Sequence, residues 1–433
     1  MRDGREVLPT PRSVELRPGA PFDLRPGMRV VAGTDPSAVG TAVLAAGRIG
    51  EISGVPVSVT HEEPTAGPAI VLTLARDPRE LGLVDALEAP RLREAYRLTV
   101  SRDRAEITAL AAPGLLRGAT TLHQMGHRLP EDRGTRDRPA ALSFPAVEVV
   151  DHPRFLWRGL DLGLRPAAVD VAGVKRVVAV MTDLKLDVLH LRVGEGGGEY
   201  DVEDYAEILT YAVARHVTVV PEVRLPALGR RAGSAGGHDG WDESWMQEVL
   251  GRVLATTPGP AVRLALRGAQ PGPGPAADPS TAGAGPTAAL VARAAEEVHG
   301  AGKLVVGSAA LLGEAAGQGT VLRHLGDGRL TAQEEAAVGR GAGLVLARAG
   351  APLDEPPVAG PEPSAGIAGL EAVLPSGWLV DPEPRGLTRL AQIATLAEVA
   401  WAVPDRQRPL AARLPALVER WRSLGLLDLD PQG

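Results

Sequence analysis

From about residue 155 onward the chain repeats one pattern: a short apolar run, a loop and an amphipathic run. This repetition constrains the fold more than any other feature. The apolar runs stand at 158–164, 187–193, 218–224, 262–267, 303–308, 320–325, 343–348 and 366–372. Stretches such as "VDVAGVKRVVAVMTDLK" and "DVEDYAEILTYAVARH", with apolar residues at helical spacing, lie between the early ones. Parallel strands need a long crossover to join them, and a helix supplies it. Eight such units predict a parallel (β/α)8 TIM barrel, which carries its functional groups at the C-terminal ends of its strands.

The preceding residues follow another pattern. "AIVLTL" at 69–74 and "YRLTVSRDRAEITAL" at 96–110 alternate with period two, the second around a turn at Ser101 to Arg104, and "PGLLRGATTLHQMGHRL" follows at helical spacing. These predict a small α+β domain over residues 1–150, ahead of the barrel at 151–433. Two Gly- and Pro-rich stretches, 268–286 and 350–366, follow predicted barrel strands and are expected to be mobile loops at the ligand-bearing end.

Composition narrows the function. With 433 residues, 44% of them hydrophobic, the chain can bury a large core. Its net charge of −7 is spread without a basic tract, so neither nucleic acid nor a membrane surface is an expected partner. The start, "MRDGREVLPTPRS", has charges but no apolar run, which makes the cytoplasm the expected location. There is no cysteine for a thiolate nucleophile or zinc-thiolate site, and the nine histidines show no H-x-x-x-H spacing, so no metal or cofactor is expected. Aromatic residues are only 3% of the chain, which leaves little from which to build a sugar-stacking pocket.

Several segments taken in order, "LPTPRSVEL", "EAYRLTVSRDRAEITALAAPGLLRGATTLHQM", "DHPRFLWRGLDLGL", "MTDLKLDVLHLRV", "YAEILTYAVARHVTVVPEV" and "LAQIATLAEVAW", resemble glycoside hydrolase family 20, the β-N-acetylhexosaminidases. The resemblance covers nearly the whole chain and implies an α+β domain followed by a barrel. It also implies substrate-assisted hydrolysis, in which an Asp orients the substrate acetamido group and an adjacent Glu protonates the leaving oxygen. The family's H-x-G-G-D-E motif falls on Arg263, Leu264, Ala265, Leu266, Arg267 and Gly268, so Arg267 and Gly268 replace the two acids. Gly163 and Pro166 stand where the family has an Asp and a sugar-gripping Arg. In "HLRVGEGGGE" only His190 is retained; Arg192, Glu195, Gly196 and Glu199 replace the motif's second His, two acids and Trp. In "PEVRLPAL" Glu222 is kept, while Arg224 and Leu228 replace an Asp and a His. Ser308, Leu325 and a residue near Ala372 stand where pocket tryptophans are expected. The expectation is therefore a degenerate hexosaminidase-like protein without hydrolase activity, acting as a binding or assembly component. Two alternatives stay open: a glycosidase using relocated carboxylates Glu195 and Glu222, or a noncatalytic partner of an active homologue.

Several strands end in arginine instead of assorted small residues. Arg192, Arg224, Arg267, Arg323 and Arg348 lie at or near strand ends, and period-two alternation puts Arg192 on one face with His190, Arg224 with Glu222, and Arg267 with Arg263. Together with His190 these arginines read in one of two ways. Either they form an anion-binding crown for an acidic or sugar-derived small ligand, or they form a salt-bridge plug with Glu195, Glu199, Glu222 and Glu371. A protein partner is compatible with both. Glu398 in "LAEVAW" sits in a helical pattern and is expected to be a satisfied core carboxylate. Asp242 and Glu243 read as the first turn of a helix, where acids favour the dipole. "GEGGGE" at 194–199 lacks the Lys of a phosphate-binding loop.

Overall fold

The computed structural model describes residues 6–62, 68–83, 87–128, 142–161, 169–193, 200–225, 243–266, 286–325, 329–349, 366–374, 385–402 and 410–427. Ten strands come first: β1 (Ser13–Leu16), β2 (Phe22–Asp23), β3 (Arg29–Ala32), β4 (Ser58–Thr60), β5 (Ala69–Leu74), β6 (Tyr96–Ser101), β7 (Arg104–Ala109), β8 (His127–Arg128), β9 (Leu142–Phe144) and β10 (Val147–Asp151). Seven of them make one sheet in the order β1-β10-β6-β7-β5-β3-β4, while β2, β9 and β8 make a second. The expected hairpin is β6–β7, antiparallel with Ser101 opposite Arg104. Its alternation buries Tyr96, Leu98 and Val100 on one strand and Ala105, Ile107 and Ala109 on the other. Helices α1 (Pro36–Ser53) and α3 (Ala112–Met125) share that core, and a single turn, α2 (Ala89–Leu92), precedes β6. Helix α1 begins where its pattern indicates, with Asp35 accepting from the Ser37 amide and Pro36 in the first turn.

The barrel follows as β11 (Trp157–Asp161), β12 (Val188–Arg192), β13 (Thr218–Leu225), β14 (Ala261–Leu266), β15 (Leu304–Gly307), β16 (Thr320–Leu325), β17 (Gly343–Ala349) and β18 (Ile367–Val373), parallel and closed in chain order. Helices α4 (Val171–Asp183), α5 (Val202–Val213), α6 (Glu243–Thr256) and α7 (Pro286–Gly300) link the first five strands. The short α8 (Ala309–Leu312) and α9 (Ala332–Gly339) follow β15 and β16, and α10 (Arg385–Trp401) and α11 (Leu410–Ser423) complete the chain. Strand alternation explains both faces. Leu189, Leu191, Val219, Val223, Val262 and Leu264 join the helices in one large core. Val188, Val220, Ala261, Val306, Val321 and Val345 fill the bore. The Gly- and Pro-rich stretches expected as mobile loops fall almost wholly outside the described residues, at 267–285 and 350–365. Among the described residues no helix is long and apolar enough to cross a membrane.

The two parts share a charged, buried junction. Asp151, at the end of β10, accepts from Tyr96 Oη at 2.7 Å, Lys185 Nζ at 2.8 Å and Trp401 Nε1 at 2.9 Å. Burial pushes the Lys185 ammonium down, with Asp151 opposing. Arg158 is buried and donates to Glu94 at 2.7 Å, and its Nη2 lies 2.9 Å from Asp187. Burial alone would raise the Glu94 carboxyl, but Arg158 and Arg117 overcome it and bring it to about 2. Glu398 is satisfied, as expected: it accepts from the Thr10 amide and from Arg413 Nη2, each at 2.9 Å. Its partners are the N-terminal segment and α11.

Candidate active site at the barrel mouth

Above the apolar layer of the bore the inward-facing residues change from Val and Ala to charged groups. Two positions beyond Val188 on β12 stands His190, two beyond Val220 on β13 stands Glu222, and two beyond Ala261 on β14 stands Arg263. Asp161 closes β11, Arg323 lies on β16 and Glu371 on β18, and all six are buried. Arg192 and Arg224 come later on β12 and β13, with about a fifth of each side chain exposed (19% and 22%).

These groups form a continuous chain of ion pairs across the bore. Glu371 Oε1 accepts from Trp157 Nε1 at 2.8 Å and lies 2.5 Å from His190 Nε2, while its Oε2 accepts from Arg323 Nε at 2.6 Å. Arg323 Nη2 also donates to Asp161 Oδ2 at 2.8 Å. That oxygen takes a second bond, from Arg263 Nη1 at 2.5 Å, and the same nitrogen lies 2.9 Å from Glu222 Oε2. Glu222 Oε1 accepts from Arg224 Nε at 2.6 Å, and Arg192 Nε stands 3.5 Å from it.

Room for this chain comes from two glycines. A Cβ on Gly159 would lie 2.4 Å from Glu371 Cγ, and one on Gly369 would lie 2.0 Å from the Trp157 carbonyl oxygen. The electrostatics follow from the pairing. Burial would raise the Glu371 carboxyl, but Arg323 and His190 outweigh it and hold the group well below the usual carboxylate range. Burial likewise opposes ionisation of Glu222, and Arg263 and Arg224 reverse the balance so that it too is held low. Burial weakens the Arg263 cation, yet Asp161 and Glu222 leave it more firmly protonated than an ordinary arginine.

Seven of the residues singled out from the sequence, His190, Arg192, Glu222, Arg224, Arg263, Arg323 and Glu371, therefore meet in one cluster. Arg348 is in β17, in register with Ala372, whereas Ala347 is in register with Glu371; the Arg348 side chain lies outside the description. Glu195, Glu199 and Arg267 also lie outside the described residues. Asp161 joins Arg263 to Arg323, and it is not the position on which the family's Asp falls, which is Gly163. Period-two alternation from Trp157 through Gly159 to Asp161 would have found it. Among the described residues no group of three or more His, Asp or Glu could hold a metal ion.

Known proteins share this architecture. A family model described as glycosyl hydrolase family 20, domain 2, matches residues 4–152. A beta-N-acetylhexosaminidase of Cellulomonas fimi is 28% identical over 476 residues, covering 92% of this chain and 90% of that protein. A beta-hexosaminidase of Akkermansia muciniphila is 26% identical over 34% of this chain and 35% of its own length. Among solved structures, the GH20 beta-N-acetylhexosaminidase from Streptomyces coelicolor A3(2) superposes with a TM-score of 0.71 at 24% identity, covering 98% of this chain and 97% of that one. The GH20 exo beta-N-acetylglucosaminidase from Vibrio harveyi gives 0.70 at 17% identity, covering 98% and 78%.

Proposed function

Because the chain is glycoside hydrolase family 20-like in sequence and fold, we propose that it is a noncatalytic member of that group, a binding or assembly component without hexosaminidase activity. One observation carries this reading: Asp161, Glu222 and Glu371, the carboxylates described in the bore, are all committed to arginines. Glycoside hydrolysis needs a carboxyl that is still protonated near neutral pH to protonate the leaving oxygen, together with a second carboxylate free to orient the substrate acetamido group or, in the two-carboxylate routes, to reach the sugar or its activated water.

Spacing alone would permit such chemistry. Oxygens of Asp161 and Glu222 both lie within hydrogen-bond distance of Arg263 Nη1. They are thus no farther apart than the roughly 5–5.5 Å of a retaining pair. Protonation and access count against it. Glu222 is held ionised by Arg263 and Arg224, and Asp161 and Glu371 are buried beneath the mouth. A Glu195–Glu222 pair would meet the same obstacle if Glu222 served as the acid. On the motif correspondence, the position of the family's Glu is Gly268, which carries no side chain to donate a proton.

The purified full-length chain should hydrolyse aryl N-acetyl-β-glucosaminides and galactosaminides no faster than buffer. General acid catalysis by itself contributes roughly 10²–10⁴-fold, so its loss is easily read. Robust turnover that disappears on substitution of Glu222 would overturn the proposal.

A further inference from the structure

The described mouth carries more cation than it can pair. Four arginines, Arg192, Arg224, Arg263 and Arg323, meet three carboxylates, Asp161, Glu222 and Glu371. The imbalance falls at one place. Glu222 Oε2 is taken by Arg263, which leaves Oε1 for two guanidinium groups. Arg224 binds it at 2.6 Å, while Arg192 stops at 3.5 Å with its buried Nε–H lacking a hydrogen-bond partner among the described residues. A buried donor without an acceptor is costly, and a half-buried cation sharing its counter-ion with another cation is more so. Both side chains are on the ligand-bearing side of the barrel and keep part of their surface open, unlike the sealed Arg263 and Arg323 beneath them.

We propose that Arg192 and Arg224 form a binding site for the carboxylate of a small monoanionic ligand. Among the described residues the surplus is one positive charge, which matches a monoanion, and planar guanidinium groups match a planar carboxylate, with two parallel bonds available to each arginine. A dianionic phosphate or sulfate would overcompensate the surplus and add a second, unpaired charge above Glu222. Glu222 keeps both arginines at the mouth, and it competes with the ligand for them. The assignment rests on the noncatalytic reading above for treating the mouth as a binding surface, but the two fail separately. Hydrolysis would refute that reading, whereas absent binding in a protein without hydrolysis refutes only this one.

The test is calorimetric titration of the full-length chain, at constant ionic strength, with D-glucuronate, acetate, N-acetylglucosamine, phosphate and sulfate. Glucuronate should bind saturably and N-acetylglucosamine should not. Arg192→Ala and Arg224→Ala should each weaken glucuronate roughly 10- to 100-fold, the scale of one charged hydrogen-bonding partner. Glu222→Gln should tighten it, because the internal competitor is gone, and this variant keeps the test open if an arginine variant fails to fold. Acetate binding as well as glucuronate supports the carboxylate site and assigns it to free acids. The proposal is overturned by any of three results: no saturable carboxylate binding at tens of millimolar, binding indifferent to both arginine variants, or tighter binding of phosphate or sulfate than of glucuronate.

Discussion

Replacing Glu371 by alanine tests whether the ion-pair chain holds the barrel together. The side chain is fully buried and its two oxygens engage three groups: His190 Nε2, Trp157 Nε1 and Arg323 Nε. Taking one partner from a buried pair typically costs about 3–5 kcal/mol, because the remaining charge is left in a poor solvent. Here Arg323 keeps Asp161 at 2.8 Å, which lowers that part of the penalty. Trp157 and His190 each lose an acceptor, at about 1–3 kcal/mol for a donor left unsatisfied, and the vacated side-chain volume adds a cavity term. Since these contributions share one site they do not sum, and a total loss of about 4 kcal/mol is expected. Glu371→Gln keeps the volume and one carbonyl acceptor, so it should lose about half as much. Urea unfolding followed by tryptophan fluorescence and far-ultraviolet circular dichroism gives both numbers, provided the slope of the transition is unchanged. A Glu371→Ala protein within about 1 kcal/mol of the parent, or one no less stable than Glu371→Gln, would refute the reasoning.

Two further outcomes follow from the same chain. Glu222 and Glu371 have folded-state values below the ordinary carboxylate range. Their stabilisation is therefore complete above the unfolded value of about 4.3 and is lost as pH falls below it towards the folded values. Melting temperature should drop steeply on acidification from about pH 5 to about pH 3, and a flat profile there would contradict the pairing. Gly159→Ala would bring a methyl to 2.4 Å from Glu371 Cγ, and the three donors on Glu371 keep it from retreating. A loss of about 1–3 kcal/mol is expected in the same unfolding assay, and a neutral result would mean that the carboxylate is not fixed there.

The barrel was legible because burial on both faces leaves a local signature, an apolar run for every strand, and all eight runs overlap the observed strands. Strand alternation also placed Arg192 and Arg224 correctly relative to His190 and Glu222. Which charges would pair was not legible, since partners such as Arg323 and Asp161 are brought together only by barrel closure. Asp161 illustrates the limit. It carries a family-independent cue, its parity with Trp157, but the family motif specifies residue identity at a fixed spacing, and that spacing falls on Gly163. The junction was equally hidden: Arg158 lies in β11 while Lys185 and Glu94 lie in turns between elements, and nothing in their local sequence distinguishes burial from exposure.

Trp401 ends the helix that follows the last barrel strand, yet its ring belongs to the hydrophobic core of the first domain, and its carbonyl accepts from the Arg154 amide. The parts of the molecule that close last in the chain therefore complete what is begun first. A fragment ending before α10 would remove a wall from the barrel and at the same stroke unstop the preceding domain, and a fragment beginning after Asp151 would strand Lys185 without its counter-ion. During synthesis, the core of the α+β domain cannot be sealed until Trp401 has been made.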